Sequence, residues 1–195
     1  YVYHSGTHVQ CHVQMGLYGG IIKDYDDAPY KQAYPGVVYE TAVPVFFSEI
    51  DPAFHRAVDS NNYGPGKAMT STIDYEPKYF LINGMPFNPN EPPVLAGASG
   101  GGTLLRLFNM GLETRCPLLQ GGYLTLVAED GRPYDSAREQ YVASLPAGKT
   151  LDAMVVFPAA ATYPLYDRRL GLTNGPTTGG GMLQQLNVGA GNCLF

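Results

Sequence analysis

Apolar residues in this chain recur in short runs separated by turn-forming residues, at close to ten-residue intervals and without long helical stripes. The run 37–47, VVYETAVPVFF, is rich in β-branched and aromatic residues and predicts one strong strand. Pro44 within it marks an edge or a bulge, because proline has no N–H to give to a ladder. Asp51 followed by Pro52 predicts a short helical turn, with the aspartate capping and the proline at the first helical position. The polar stretch 59–78 reads as a long loop of the kind that carries function or moves. At 79–87 an apolar strand meets Asn83-Gly84, a pair that takes the left-handed backbone of a tight hairpin. Further strands are predicted at 93–97, 103–109, 117–129 before an Asp130-Gly131 turn, 140–148, 151–157, 162–167 and, after a Gly/Thr-rich loop at 171–181, 182–188. At least seven strands at this spacing predict an all-β sandwich.

Composition points the same way: 24 glycines, 16 prolines and 15 tyrosines in 195 residues, with 15% charged residues, suit short strands and tight turns. A net charge of −5 and twelve basic residues, scattered apart from Arg168-Arg169, leave no stripe for a phosphate backbone, so no nucleic-acid partner is expected. No window approaches 18 uninterrupted apolar residues, so no membrane span is expected. The chain opens at Tyr1 without a signal-like segment and reads as an internal piece or a processed product. Asp24, Asp26 and Asp27 lack the glycine and the closing glutamate of a calcium loop and read as part of a solvated acidic linker at 23–36. The glycine run at 98–102 has no Gly-Lys-Ser/Thr and reads as a flexible turn, not a phosphate loop. Of three cysteines, Cys11, Cys116 and Cys193, at most two can pair; Cys116 is expected to be a buried free thiol and Cys193 an exposed or frayed one.

Candidate chemistry concentrates in residues 1–19, which hold three of the four histidines. His4, His8 and His12 are four apart. On a helix they drift by about 40° per step, and on a strand they share a face, so either geometry lines up three imidazoles. With Cys11 and Met15 nearby as sulfur donors, the set suits copper or zinc better than calcium or magnesium. The same residues also alternate as a strand, with Val9, Cys11, Val13 and Met15 on an apolar face and His8, Gln10, His12 and Gln14 on a polar one, a pattern that needs no metal. His55, alone on a short helix, reads as structural.

The stretch Tyr3-His4-Ser5-Gly6-Thr7, followed by Gln14-Met15-Gly16-Leu17-Tyr18-Gly19, resembles the end of the first cupredoxin domain of multicopper oxidases. There a Tyr-His-Ser-His segment, both of whose histidines bind the trinuclear copper cluster, precedes a Gly-Leu-Tyr/Phe-Gly strand. By that resemblance His4 occupies the first ligand position and Gly6 the second. Either His8 or His12 substitutes, or a ligand is lost. Residues 79–86, 104–109, the turn at 128–131, 145–153 and Tyr166-Asp167-Arg168-Arg169 are similar to the second cupredoxin domain of bacterial members.

The resemblance implies an all-β, cupredoxin-like Greek-key β-sandwich. It places the closing strands of a first domain and a linker at 1–36, a second domain at 37–188 and a tail at 189–195. Residues 160–188 contain neither Cys nor His, so that second domain is expected to carry no type 1 copper. Four histidines cannot supply the eight ligands of the family's cluster. The chain is therefore expected to be part of a laccase-like, copper-dependent oxidase with a partial ligand motif at His4, His8 and His12; alternatively it is a non-catalytic copper-binding or structural module. Expected partners are the rest of the oxidase or a second copy of the chain, and residues 1–22 are expected to dock on the sandwich or to pair with that copy. The resemblance implies an extracytoplasmic location.

Overall fold

A computed structural model describes residues 1–26 and 29–191. Asp27 and Cys193 lie outside the described residues. The histidine stretch is divided between three elements, β1 (Val2–His4), α1 (Val9–Gln14) and β2 (Tyr18–Gly20). Strands β1 and β2 pair antiparallel with His4 opposite Tyr18, and α1 fills the connection. The alternation that also suited a strand is therefore used by a helix, which buries Cys11, Val13 and Gln14 on its inner side.

Next come a small hairpin, β3 (Gln32–Tyr34) and β4 (Val37–Val38), the long β5 (Thr41–Ile50) and α2 (Pro52–Asp59). Asp51 caps α2 as expected, its Oδ1 accepting from the amides of Ala53 at 2.8 Å and Phe54 at 3.3 Å. The remaining strands are β6 (Tyr79–Ile82), β7 (Val94–Ala98), β8 (Gly102–Asn109), β9 (Pro117–Leu119), β10 (Leu124–Glu129), β11 (Arg132–Gln140), β12 (Thr150–Val156), β13 (Thr162–Asp167), β14 (Thr173–Asn174), β15 (Thr177–Thr178) and β16 (Leu183–Gly189). Eight strands form one sheet in the order β11-β10-β12-β8-β5-β6-β14-β15, and four form a second, β7-β16-β13-β9. Val45, Phe47, Leu105 and Leu107 of the larger sheet and Leu165 and Leu186 of the smaller belong to one core cluster. The expected β-sandwich is present.

Proline in β5 is accommodated as an edge within a central strand. Strand β6 pairs only with Phe47–Ile50. Beyond it the side chain of Asn83 takes the place of a strand, accepting from the Phe46 amide at 2.8 Å and donating to the Pro44 carbonyl at 3.2 Å. Asn83 is free to do so because it sits in the expected tight turn, with φ of 52° at Asn83 and 79° at Gly84. The Asp130-Gly131 turn is built alike, with φ of 49° and 72°.

Two expectations are corrected. The strand placed at 140–148 is instead β11, immediately upstream; Val142 and Leu145 form only isolated bridges. The acidic linker is not solvated at Asp24, whose carboxylate pairs with buried Arg106 and accepts from the Tyr39 hydroxyl at 2.5 Å. Ala33 in the same stretch is buried, and the Tyr34 hydroxyl donates to Asp152 at 2.6 Å. The segment is thus sewn onto β8 and β12. Desolvation raises the pKa of the Asp152 carboxyl above its ordinary value.

The β1–β2 ribbon docks on the outer face of the larger sheet. Tyr18, Phe46 and Phe108 stack in series, with ring centres 6.5 and 4.3 Å apart. Gly20 lies against the last two rings, where a Cβ would come within 2.7 Å of Phe46. No helix among the described residues is long and apolar enough to cross a membrane.

Candidate metal centre

Strand β1 delivers His4 to the start of a short loop, and α1 lifts His12 one turn above His8. His8 is exposed in the left-handed region at φ 47°, where its carbonyl accepts from the amides of Cys11 and His12, both at 2.9 Å. The rings of His8 and His12 stand 6.0 Å apart between centres. His12 Nδ1 is 2.7 Å from Ser5 Oγ. Exposed His4 places Nδ1 3.0 Å from the Ser5 carbonyl. The structure thus brings the rings of His8 and His12 together, while His4 turns its Nδ1 to the Ser5 carbonyl. Among the described residues no group of three or more His, Cys, Asp or Glu side chains is placed to hold one ion.

The sulfur donors do not join the histidines. Cys11 is buried on the inner side of α1, and burial raises the pKa of its thiol. Met15, one turn on from Cys11, helps line a cavity between α1 and the sandwich, together with Val13 and Gln14. Gly6 is exposed with open space where a Cβ would stand, so nothing fills the position that the resemblance gives to a second ligand. Of the donors singled out in the sequence, His8 and His12 stand as a pair with ring centres 6.0 Å apart, half of the four-ligand set that a tetrahedral zinc or copper site takes.

No family model matches the sequence, and no curated protein matches it. Solved structures do. The blue copper oxidase from Nitrosomonas europaea matches with a TM-score of 0.75 at 19% identity, over 96% of this chain and 55% of that one. The multicopper oxidase mgLAC gives a TM-score of 0.75 at 20% identity, over 99% and 58%. The laccase from Botrytis aclada gives 0.64 at 19%, over 98% and 35%. The chain shares the cupredoxin-like sandwich fold of these structures. It spans little more than half the length of the first two structures, and its sandwich is the cupredoxin-like Greek key that the sequence led us to expect.

In this fold a buried polar network lies beneath the histidine helix. Gln14, 6% exposed, accepts at Oε1 from the Tyr75 hydroxyl at 2.7 Å. Tyr75 Oη is also 3.2 Å from Glu49 Oε1, and Glu49 Oε2 is 2.6 Å from the Arg115 guanidinium. Arg115 in turn reaches Asp167 at 3.1 Å. Burial and the Glu49 charge push the pKa of the Tyr75 phenol far above its usual range. None of this was visible in the sequence, because 61 residues separate Gln14 from Tyr75. Cys116, expected to be buried, is half-buried, and among the described residues neither it nor Cys11 is in a disulfide.

A second feature concerns His55. It is half-buried, not a free surface group, and helps line a cavity of about 180 Å³ between α1, β5 and α2. Among the described residues, its Nε2 and the hydroxyl of Ser48 are buried without a hydrogen-bond partner. Burial lowers the pKa of the ring below its ordinary value, outweighing the opposing effect of Asp51. The unfolded chain therefore takes up this proton at a higher pH than the folded one. The contribution of His55 to stability is present above an unfolded pKa of about 6.5 and is lost as pH falls through the lowered folded value. Urea titrations should show a fall in stability below about pH 6.5 that is reduced in His55→Gln. An unchanged pH dependence in that variant would rule His55 out as its source.

Proposed function

We propose that this chain is part of a copper-dependent, laccase-like multicopper oxidase, to which it contributes one partial copper-ligand motif and a copper-free structural cupredoxin sandwich. The observation that carries this reading is the fold match, which covers nearly all of this chain but little more than half of the first two matched oxidases, together with the adjacent imidazoles of His8 and His12 on an open edge. The exposure of His8 beside half-buried His12 suits a site completed from outside the chain. In this reading His8 and His12 hold one ion between them, and His4 becomes a third donor only if the loop at Ser5 rearranges, since the three are not placed for one ion as they stand. The copper, when bound, supplies one-electron transfer. The remaining ligands come from the rest of the oxidase or from a second copy of the chain, in an extracytoplasmic compartment. A second reading, a copper-binding or structural module without turnover, is favoured by Gly6 at the position where the resemblance calls for a ligand.

Copper titration of the chain and of His4→Ala, His8→Ala and His12→Ala tests the site. The His8 and His12 variants are each expected to weaken copper binding at least tenfold, which corresponds to about 1.4 kcal/mol. Copper is expected to displace zinc, following the Irving–Williams order. Binding is expected to weaken in acid as protons compete for imidazole nitrogen. Equal affinity in all three variants would remove the site and leave the structural module.

A further inference from the structure

We propose that Tyr75 is a positioning residue for the histidine edge, holding α1 to the interior through Gln14 and so fixing where His8 and His12 stand. This rests on the copper reading above for its functional meaning, but its structural part is testable alone.

A helix of six residues cannot hold itself in water, since the cost of nucleation is recovered only over several turns. Tertiary contacts must fix it. The polar contact that does so is at Gln14, two residues after His12. Two residues are about 200° of helical rotation, so a side chain drawn inward at 14 turns position 12 outward. His12 accordingly faces outward to Ser5, within 2.7 Å of its hydroxyl. Gln14 is drawn inward by one phenol, that of Tyr75.

Tyr75 is itself held firmly. Its ring meets Phe54 of α2 edge-on, with centres 6.3 Å apart at 84°. Its oxygen faces Glu49, whose carboxylate is fixed by Arg115 and by the amides of Leu112 at 2.6 Å and Glu113 at 3.3 Å. Asp167, fully buried on β13, completes the line by gripping Arg115 and accepting from the Cys116 amide at 2.8 Å. The position of α1 is therefore referred to the centre of the sandwich through the Tyr75 hydroxyl, beside the burial of Cys11 and Val13. Removing that hydroxyl leaves Glu49 with its guanidinium and two amides, so the fold is kept while the helix loses its tie.

The experiment compares wild type, Tyr75→Phe, Gln14→Ala and the double variant by amide hydrogen exchange and by copper titration. The α1 amides, reported by Met15 and Leu17, are expected to exchange at least tenfold faster in each single variant, while those of β5 and β8 are unchanged. The double variant is expected to add little, because both changes cut the same tie. Copper affinity is expected to fall three- to tenfold in Tyr75→Phe. Unchanged exchange in α1 would overturn the tie. Faster exchange with undiminished copper affinity, in a chain where His12→Ala does weaken copper, would overturn the positioning role. If His12→Ala leaves copper binding intact, the copper reading fails and the exchange data still decide the tie.

Discussion

Arg115→Met is expected to destabilise the protein by about 3–5 kcal/mol, the cost of leaving buried charge without its partner. Arg115 is 1% exposed and lies between the buried carboxylates of Glu49 and Asp167, with the more exposed Glu113 3.2 Å away. The guanidinium does not make the fold stable relative to an apolar core. It makes two buried anions tolerable. Backbone amides at Leu112 and Cys116 remain to each carboxylate in the variant, but no cation does. Urea denaturation gives the free energy directly, and the melting temperature should fall by roughly 6–20 °C at this chain length. A loss below about 1 kcal/mol would mean that water or protonation relieves both carboxylates. Converting Glu49 and Asp167 to their amides in the Arg115→Met background should recover part of the loss, since the uncompensated charge is then gone.

Phe47→Ala is expected to cost about 3–5 kcal/mol, while Phe46→Ala, one residue away, costs the fold less and acts elsewhere. Alternation along β5 sends the two rings to opposite faces of the sheet. Phe47 is fully buried among the residues that join the two sheets, so its removal leaves a cavity that its neighbours cannot close. Phe46 is half-buried on the outer face, stacked on Phe108 and covered by Gly20 and Tyr18. Its removal should free the β1–β2 ribbon and the histidine helix it frames. Thermal melts should separate the two variants by several degrees, and limited proteolysis should cut residues 1–22 faster in Phe46→Ala. Equal melting losses with equal cleavage would contradict this division of the strand.

Features that depend on neighbouring residues were legible in the sequence. Asn83-Gly84, Asp130-Gly131 and Asp51-Pro52 each carry their own backbone preference, and each does what it predicts. Strand β11 was not legible because it lies at the margin of the sheet with every residue but Tyr134 exposed, so RPYDSAREQ shows no alternation of apolar and polar positions. Helix α1 was ambiguous for the opposite reason: its spacing satisfies a helix and a strand equally, and only the burial of Cys11, Val13 and Gln14 decides between them. The nearness of His8 and His12 follows from four-residue spacing once the helix is known. The tie to Tyr75 and the pairing of Asp24 with Arg106 join residues 61 and 82 positions apart, and no local pattern encodes them.

The polar character of β11 has a consequence for how this molecule meets others. Arg132, Asp135, Arg138 and Glu139 are exposed along it, and at the opposite end of the larger sheet β15 is only two residues long. A row of open backbone groups flanked by charges of both signs is a poor template, and two residues offer almost none. Fibril-like growth, strand upon strand, is thereby blocked at both ends of that sheet. A neighbouring chain joins more readily through side chains, and exposed Tyr1, Tyr3, Leu17, Ile21 and Ile22 gather on and just beyond the ribbon that carries the histidines.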